Sequence, residues 1–127
     1  MNYGFSKLTD LSCDDAVIRV TEELKKEGFG VLTTIDVQET MKKNLNLDFP
    51  KYMILGACNP PFAYQALQAE KEIGLLLPCN VIVYEKEGKT NIAVFNPMVI
   101  TEIVENSDIL SVAEEMKTRL ERVIAAV

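Results

Sequence analysis

At 127 residues the chain can build one hydrophobic core but not two, so a single domain over 1–127 is expected. A net charge of −6 and a pI near 4.7 argue against a phosphate-neutralising nucleic-acid surface; the densest local basic candidates, Lys25-Lys26 and Lys42-Lys43, read as solvated helix faces. MNYGFSKLTD lacks the pattern of a signal peptide, the apolar run 74–84 is too short to span a bilayer, and three cysteines without close pairing suggest no secreted disulfide framework, so a cytoplasmic chain with reduced thiols is expected.

In chain order, Asn2–Leu8 alternates as a strand does. Ser12 followed by Asp15 reads as an N-cap with an acidic first turn, and Val17, Val20 and Leu24 mark one helix face. Gly28 suits the left-handed position that ends such a helix. Gly30–Val37 is β-branched and alternating, a second strand. Asp36 with Glu39 three residues on predicts a short capped helix carrying Met41 and Leu45. Phe49-Pro50 breaks it, and Tyr52–Cys58 reads as a third strand.

Asn59 is a suitable N-cap for the next helix, with Pro60 at its tolerated first position and Phe62, Ala66, Ala69 and Ile73 at helical spacing. Leu75–Glu85 and Thr90–Phe95 read as strands joined around Glu87-Gly88, a hairpin signal. After Pro97 and a short connection, Leu110, Ala113, Met116, Leu120, Val123 and Val127 describe an amphipathic final helix, whose excess of Val and Ile could also serve a dimer interface. The predicted fold is α+β: a two-layer sandwich of a five-stranded, mainly antiparallel sheet with helices packed on one face. A doubly wound α/β sheet fits less well, because the hairpin must be antiparallel.

The chain has no histidine, which removes Cys-His and Ser-His nucleophile pairs and every His-containing zinc site. Chemistry therefore centres on GACNPPFAYQAL (56–67) and LLLPCNV (75–81). Cys58 stands at a strand end just before a helix start, where the positive end of the helix would favour a thiolate; a buried small hydrophobe is the equal alternative. Pro60 and Pro61 remove two N–H donors from that helix start and so argue against a phosphate cradle. Cys79 shares a strand face with Leu77, Val81 and Val83, as a core residue would. Pro78 requires an edge, a bulge or a strand start there. With strands three and four adjacent and parallel, Cys79 would lie about 7 Å along and about 5 Å across from Cys58. That is too far for an unstrained disulfide but near enough to share a pocket. Cys13 has no motif around it.

EGFGVLTTIDV, YMILGACNPPFAYQAL and IGLLLPCNVIVYE together resemble the domain of unknown function 302 family over nearly the whole chain. The resemblance implies a compact α+β fold with a curved antiparallel sheet against helices, frequent dimers, and bacterial or archaeal cytoplasmic occurrence. The matching signature positions are Gly56, Cys58, Asn59, Pro60, Pro61, Pro78, Cys79 and Asn80. Where relatives often read Ala-His-Arg or Ala-His-Lys after the prolines, this chain has Tyr64 and Gln65, so no role that needs that imidazole or cation carries over.

The leading expectation is a homodimeric cytoplasmic domain that binds a small molecule, a sulfur species or a soft metal near the Cys58-Asn59 corner. Cys58, Asn59, Cys79, Asn80 and Tyr64 are the ligand-binding candidates, and Cys58 and Cys79 the metal candidates. One alternative is a thiol enzyme with Cys58 as nucleophile and Cys79 as resolving partner; another is a structural or interaction dimer. No cofactor is specified, and neither nucleic acid nor membrane is an expected partner.

Overall fold

A computed structural model describes residues 2–127. The elements are β1 (Gly4–Thr9), α1 (Cys13–Lys26), β2 (Gly30–Asp36), α2 (Val37–Leu45), β3 (Tyr52–Cys58), α3 (Pro60–Ala69), a 3-10 segment (Lys71–Leu76), β4 (Cys79–Lys86), β5 (Lys89–Phe95), α4 (Met98–Ile103) and α5 (Ser107–Ala126). One five-stranded sheet in the order β1-β5-β4-β3-β2 carries the helices on one face, and every pairing is antiparallel. Among the described residues no helix is long and apolar enough to cross a membrane.

Local chemistry sets the element ends. Ser12 Oγ accepts from the Asp15 amide at 3.1 Å and starts α1. Gly28, at φ 86°, ends it: its N–H reaches Lys25 O and the Phe29 N–H reaches Leu24 O. Asp36 Oδ1 caps α2 through the Glu39 amide at 3.0 Å. Glu87 and Gly88 both take positive φ, 54° and 74°, as a two-residue hairpin between Lys86 and Lys89 requires.

The core lies between the sheet and α1 and α5. Ala16, Val20 and Leu24 of α1 and Leu120 and Val123 of α5 meet Leu55, Val81, Val83, Ile92 and Val94 of the sheet, all at most 1% exposed. Each such Val, Leu or Ile contributes about 1.5–3 kcal/mol through burial, which fixes which strand face turns inward. The opposite face is not covered by α1 or α5. Register aligns Ile35, Ile54, Ile82 and Ala93 in a row across it, and Tyr52 and Tyr84 stack beside that row at 5.3 Å. Among the described strand residues of this face, charge enters only at the hairpin tip, through Lys86 and Lys89.

Four expectations change. β3 and β4 are antiparallel, not parallel, because α3 and the 3-10 segment return the chain to the sheet end it left, setting Cys79 opposite Ala57. β4 starts at Cys79 rather than Leu75: Pro78 has no N–H for the ladder, and Leu75 is 82% exposed on the 3-10 segment. The short connection after Pro97 contains α4, begun by the fixed φ of proline. The buried stripe of α5 enters at Ile109 and Val112, leaving Leu110 40% exposed.

Candidate functional site

At the end of the sheet where β3 stops and β4 starts, a cavity of about 360 Å³ opens between the sheet and α3. Its inner wall is Phe29, Ala57, Ala66, Cys79 and Met116, all buried. Its mouth is Leu32, Thr33, Leu67, Gly74 and Pro78, all exposed. Cys58 lies between the two, half-buried. A register shift between Val31 and Thr33 in β2 bulges Leu32 outward to 68% exposure and shapes that mouth.

The Cys58-Asn59 corner is built by close packing. Gly56 is buried in β3, and a Cβ there would overlap Thr33 Oγ1 and stand 3.0 Å from Pro78 Cγ. Only hydrogen fits, which lets β2 and Pro78 close over the strand. Asn59 is 5% exposed, yet its side chain does not cap α3. Its Nδ2 donates instead to Glu27 O at 3.2 Å, and Arg119 donates to the same carbonyl at 2.9 Å. The expected cap is thus a tertiary tie between α3, the end of α1 and α5. Arg119 also lies over the Phe62 ring at 5.1 Å, and Arg122 holds the Glu27 carboxylate at 2.7 Å. That hydrogen bond, followed by the guanidinium charges, holds the Glu27 carboxyl below its usual range.

Burial governs the thiols. It pushes the Cys58 thiol up, opposite to the lowering expected from the helix start. Pro60 and Pro61 supply no N–H there, so little positive dipole offsets the loss of water. Cys79 is 2% exposed and pushed up to about 12 by burial and by the nearby Cys58. Both sulfurs are neutral near pH 7. Consecutive residues of a strand face opposite ways, so Cys58, one step beyond the Ala57 that pairs with Cys79, approaches the cavity from another side. Cys13 is buried elsewhere, 3.8 Å from Thr90 Oγ1.

The cavity therefore gathers Cys58, Asn59 and Cys79 of the sequence candidates. Asn80 is exposed on the uncovered sheet face, opposite Gly56 in register. Tyr64 is 66% exposed and borders a different hollow with Gln65, Gln68 and Asp108. Phe29, Leu32, Ala63, Leu67 and Met116 escaped sequence reasoning. They come from elements far apart in the chain, and only the α3 spacing hinted at Ala66. A larger hollow, about 610 Å³, runs along α2, but the exposed Glu39, Lys42, Lys43 and Asp48 line it and no thiol does. Among the described residues no three Cys, Asp or Glu side chains cluster as a metal site.

Fold and cavity together define a two-layer α+β domain with a sulfur-bearing apolar pocket at one end of its sheet. The chain belongs to the family described as domain of unknown function DUF302, whose model matches residues 5–127. It is similar to the crystal structure of the uncharacterized conserved protein DUF302 from Bacillus stearothermophilus. The two share 28% identity with a TM-score of 0.92, over 99% of this chain and 98% of that one. No curated protein matches the chain.

Proposed function

We propose that the protein is a cytoplasmic small-ligand-binding domain whose site is the cavity beside Cys58, and that it works as a homodimer. The carrying observation is the convergence of Cys58, Asn59 and Cys79 on one apolar hollow of about 360 Å³, inside the size range of small-molecule sites. Thr33 at the mouth and Cys58 between mouth and inner wall supply the polar contacts. Cys79 and Met116 supply soft, polarisable walls. The cytoplasmic assignment rests on three free thiols.

The dimer reading rests on the uncovered sheet face. A protein of net charge −6 repels its own copies, and this face offers an uncharged apolar row in Ile35, Ile54, Ile82 and Ala93. Five strands at about 4.8 Å spacing present enough width for a small self-complementary interface around a two-fold axis. Thiol catalysis, with Cys58 as nucleophile and Cys79 as resolving partner, is the weaker reading, because burial disfavours the thiolate it needs.

Native mass spectrometry of gently purified protein tests both parts. The expected result is a dimer of the 14.2 kDa chain carrying a small-molecule adduct, and a monomer after Ile54→Lys. A monomeric wild type would sink the dimer. An unliganded protein that no compound in a thermal-shift library stabilises would sink the binding role.

A further inference from the structure

Resting on the binding role just proposed, we infer that the cavity selects an uncharged, mainly apolar molecule of about a dozen non-hydrogen atoms, and rejects anions and metal ions. Four observations carry this.

The lining contains no charged side chain, although a quarter of the chain is charged. An ion entering it would lose water without gaining a counter-charge, whereas an apolar body gains by leaving water.

The helix start beside the cavity offers little to an anion. Asn59 Nδ2 donates to Glu27 O, Ala63 N–H donates to Asn59 O at 2.9 Å, and Pro60 and Pro61 have no N–H. The nearby cations Arg119 and Arg122 are held by Glu27 and Glu115.

The sulfur atoms do not form a ready metal site. A soft ion needs thiolates, and Cys79 keeps its proton deep in the wall, 2% exposed, while Cys58 comes from the other side of the strand.

Size completes the case. At about 30 Å³ per water-sized group, 360 Å³ holds about a dozen such groups, the bulk of a two-ring aromatic. Its apolar body would lie against Phe29, Ala66 and Met116. A single hydroxyl or carbonyl would meet Thr33 at the mouth.

The matched probes 2-naphthol, neutral at pH 7, and 2-naphthoate, anionic at pH 7, separate the outcomes when titrated by calorimetry beside silver(I). Saturable 1:1 binding of 2-naphthol, at least tenfold tighter than 2-naphthoate, is expected. Ala66→Trp, which fills the inner end, should weaken it tenfold or more. Leu32→Lys, at a 68% exposed position where folding is not at stake, should weaken it as well. If 2-naphthoate or silver(I) binds in a manner blocked by these variants while 2-naphthol does not, the pocket is a binding site and the ligand class is wrong. If no probe binds, both fall. Binding of 2-naphthol that neither variant alters places its site elsewhere and overturns the inference.

Discussion

Gly56→Ala tests how the corner is built. The added methyl would overlap Thr33 Oγ1 from β2 and stand 3.0 Å from Pro78 Cγ, with Thr33 Cβ at an ordinary 3.6 Å. Thr33 can relieve its part by changing rotamer. The pyrrolidine ring can only change pucker, so the remaining strain falls on β3 and the start of β4. Overpacking of this kind costs typically 1–3 kcal/mol, and one hard and one soft neighbour put the expected loss near the middle, about 2 kcal/mol. For a domain of this size that lowers Tm by about 4–12 °C. Urea unfolding followed by circular dichroism would measure it, with Thr33→Ala and the double variant completing a cycle. Because Thr33→Ala removes the closest atom, the double variant should recover about 1 kcal/mol relative to additivity. A Gly56→Ala protein within about 0.5 kcal/mol of wild type, or strictly additive single effects, would refute the packing account.

Other expectations follow from the same geometry. Folded Cys79 keeps its proton up to about 12, while the unfolded chain releases it near pH 8.5. This stabilising contribution is complete below pH 8.5 and is lost as pH rises, by about 1.4 kcal/mol per unit between pH 9 and 11. Cys79→Ala should flatten that slope in urea titrations, and parallel slopes would count against the burial argument. Asn59→Ala removes a buried donor to Glu27 O, but Arg119 still serves that carbonyl. Its cost should sit near 1 kcal/mol in chemical denaturation; a loss above 3 kcal/mol would mean that the amide does more than tie α3 to α1. Arg122→Ala removes the main partner of the Glu27 carboxylate, so NMR titration should show Glu27 returning upward to the ordinary glutamate range.

Features decided within a few residues were legible in the sequence. Ser12 and Asp36 as caps, Gly28 as a helix end and the Glu87-Gly88 hairpin all depend on neighbours one to five positions away. The strand count, the helices on one sheet face and the family followed from such local signals. Features decided by distant partners were not legible. Asn59 has the composition of a cap, but its partner is Glu27 O, 32 residues back. Leu75, Leu76 and Leu77 have the composition of a strand, but Pro78 delays the ladder to Cys79. The location of the cavity at the Cys58 corner could be reasoned locally. Its walls could not, since Phe29 and Met116 reach it only after β2 and α5 have packed. The direction of the Cys58 shift stays open in the sequence for the same reason: a helix start is visible there, and the water removed by folding is not.

The strand order β1-β5-β4-β3-β2 has a consequence in time. β2 to β5 pair as successive neighbours, whereas β1 pairs only with β5, made about 80 residues later. At synthesis rates of about 5–20 residues per second, β1 waits roughly 4–16 s for its partner. During that interval the growing sheet ends in the bare edge of β3 and then of β4, able to pair with a strand of any neighbouring chain. The strand made first is thus the last to dock, and its docking closes the edge through which a nascent chain could misassemble.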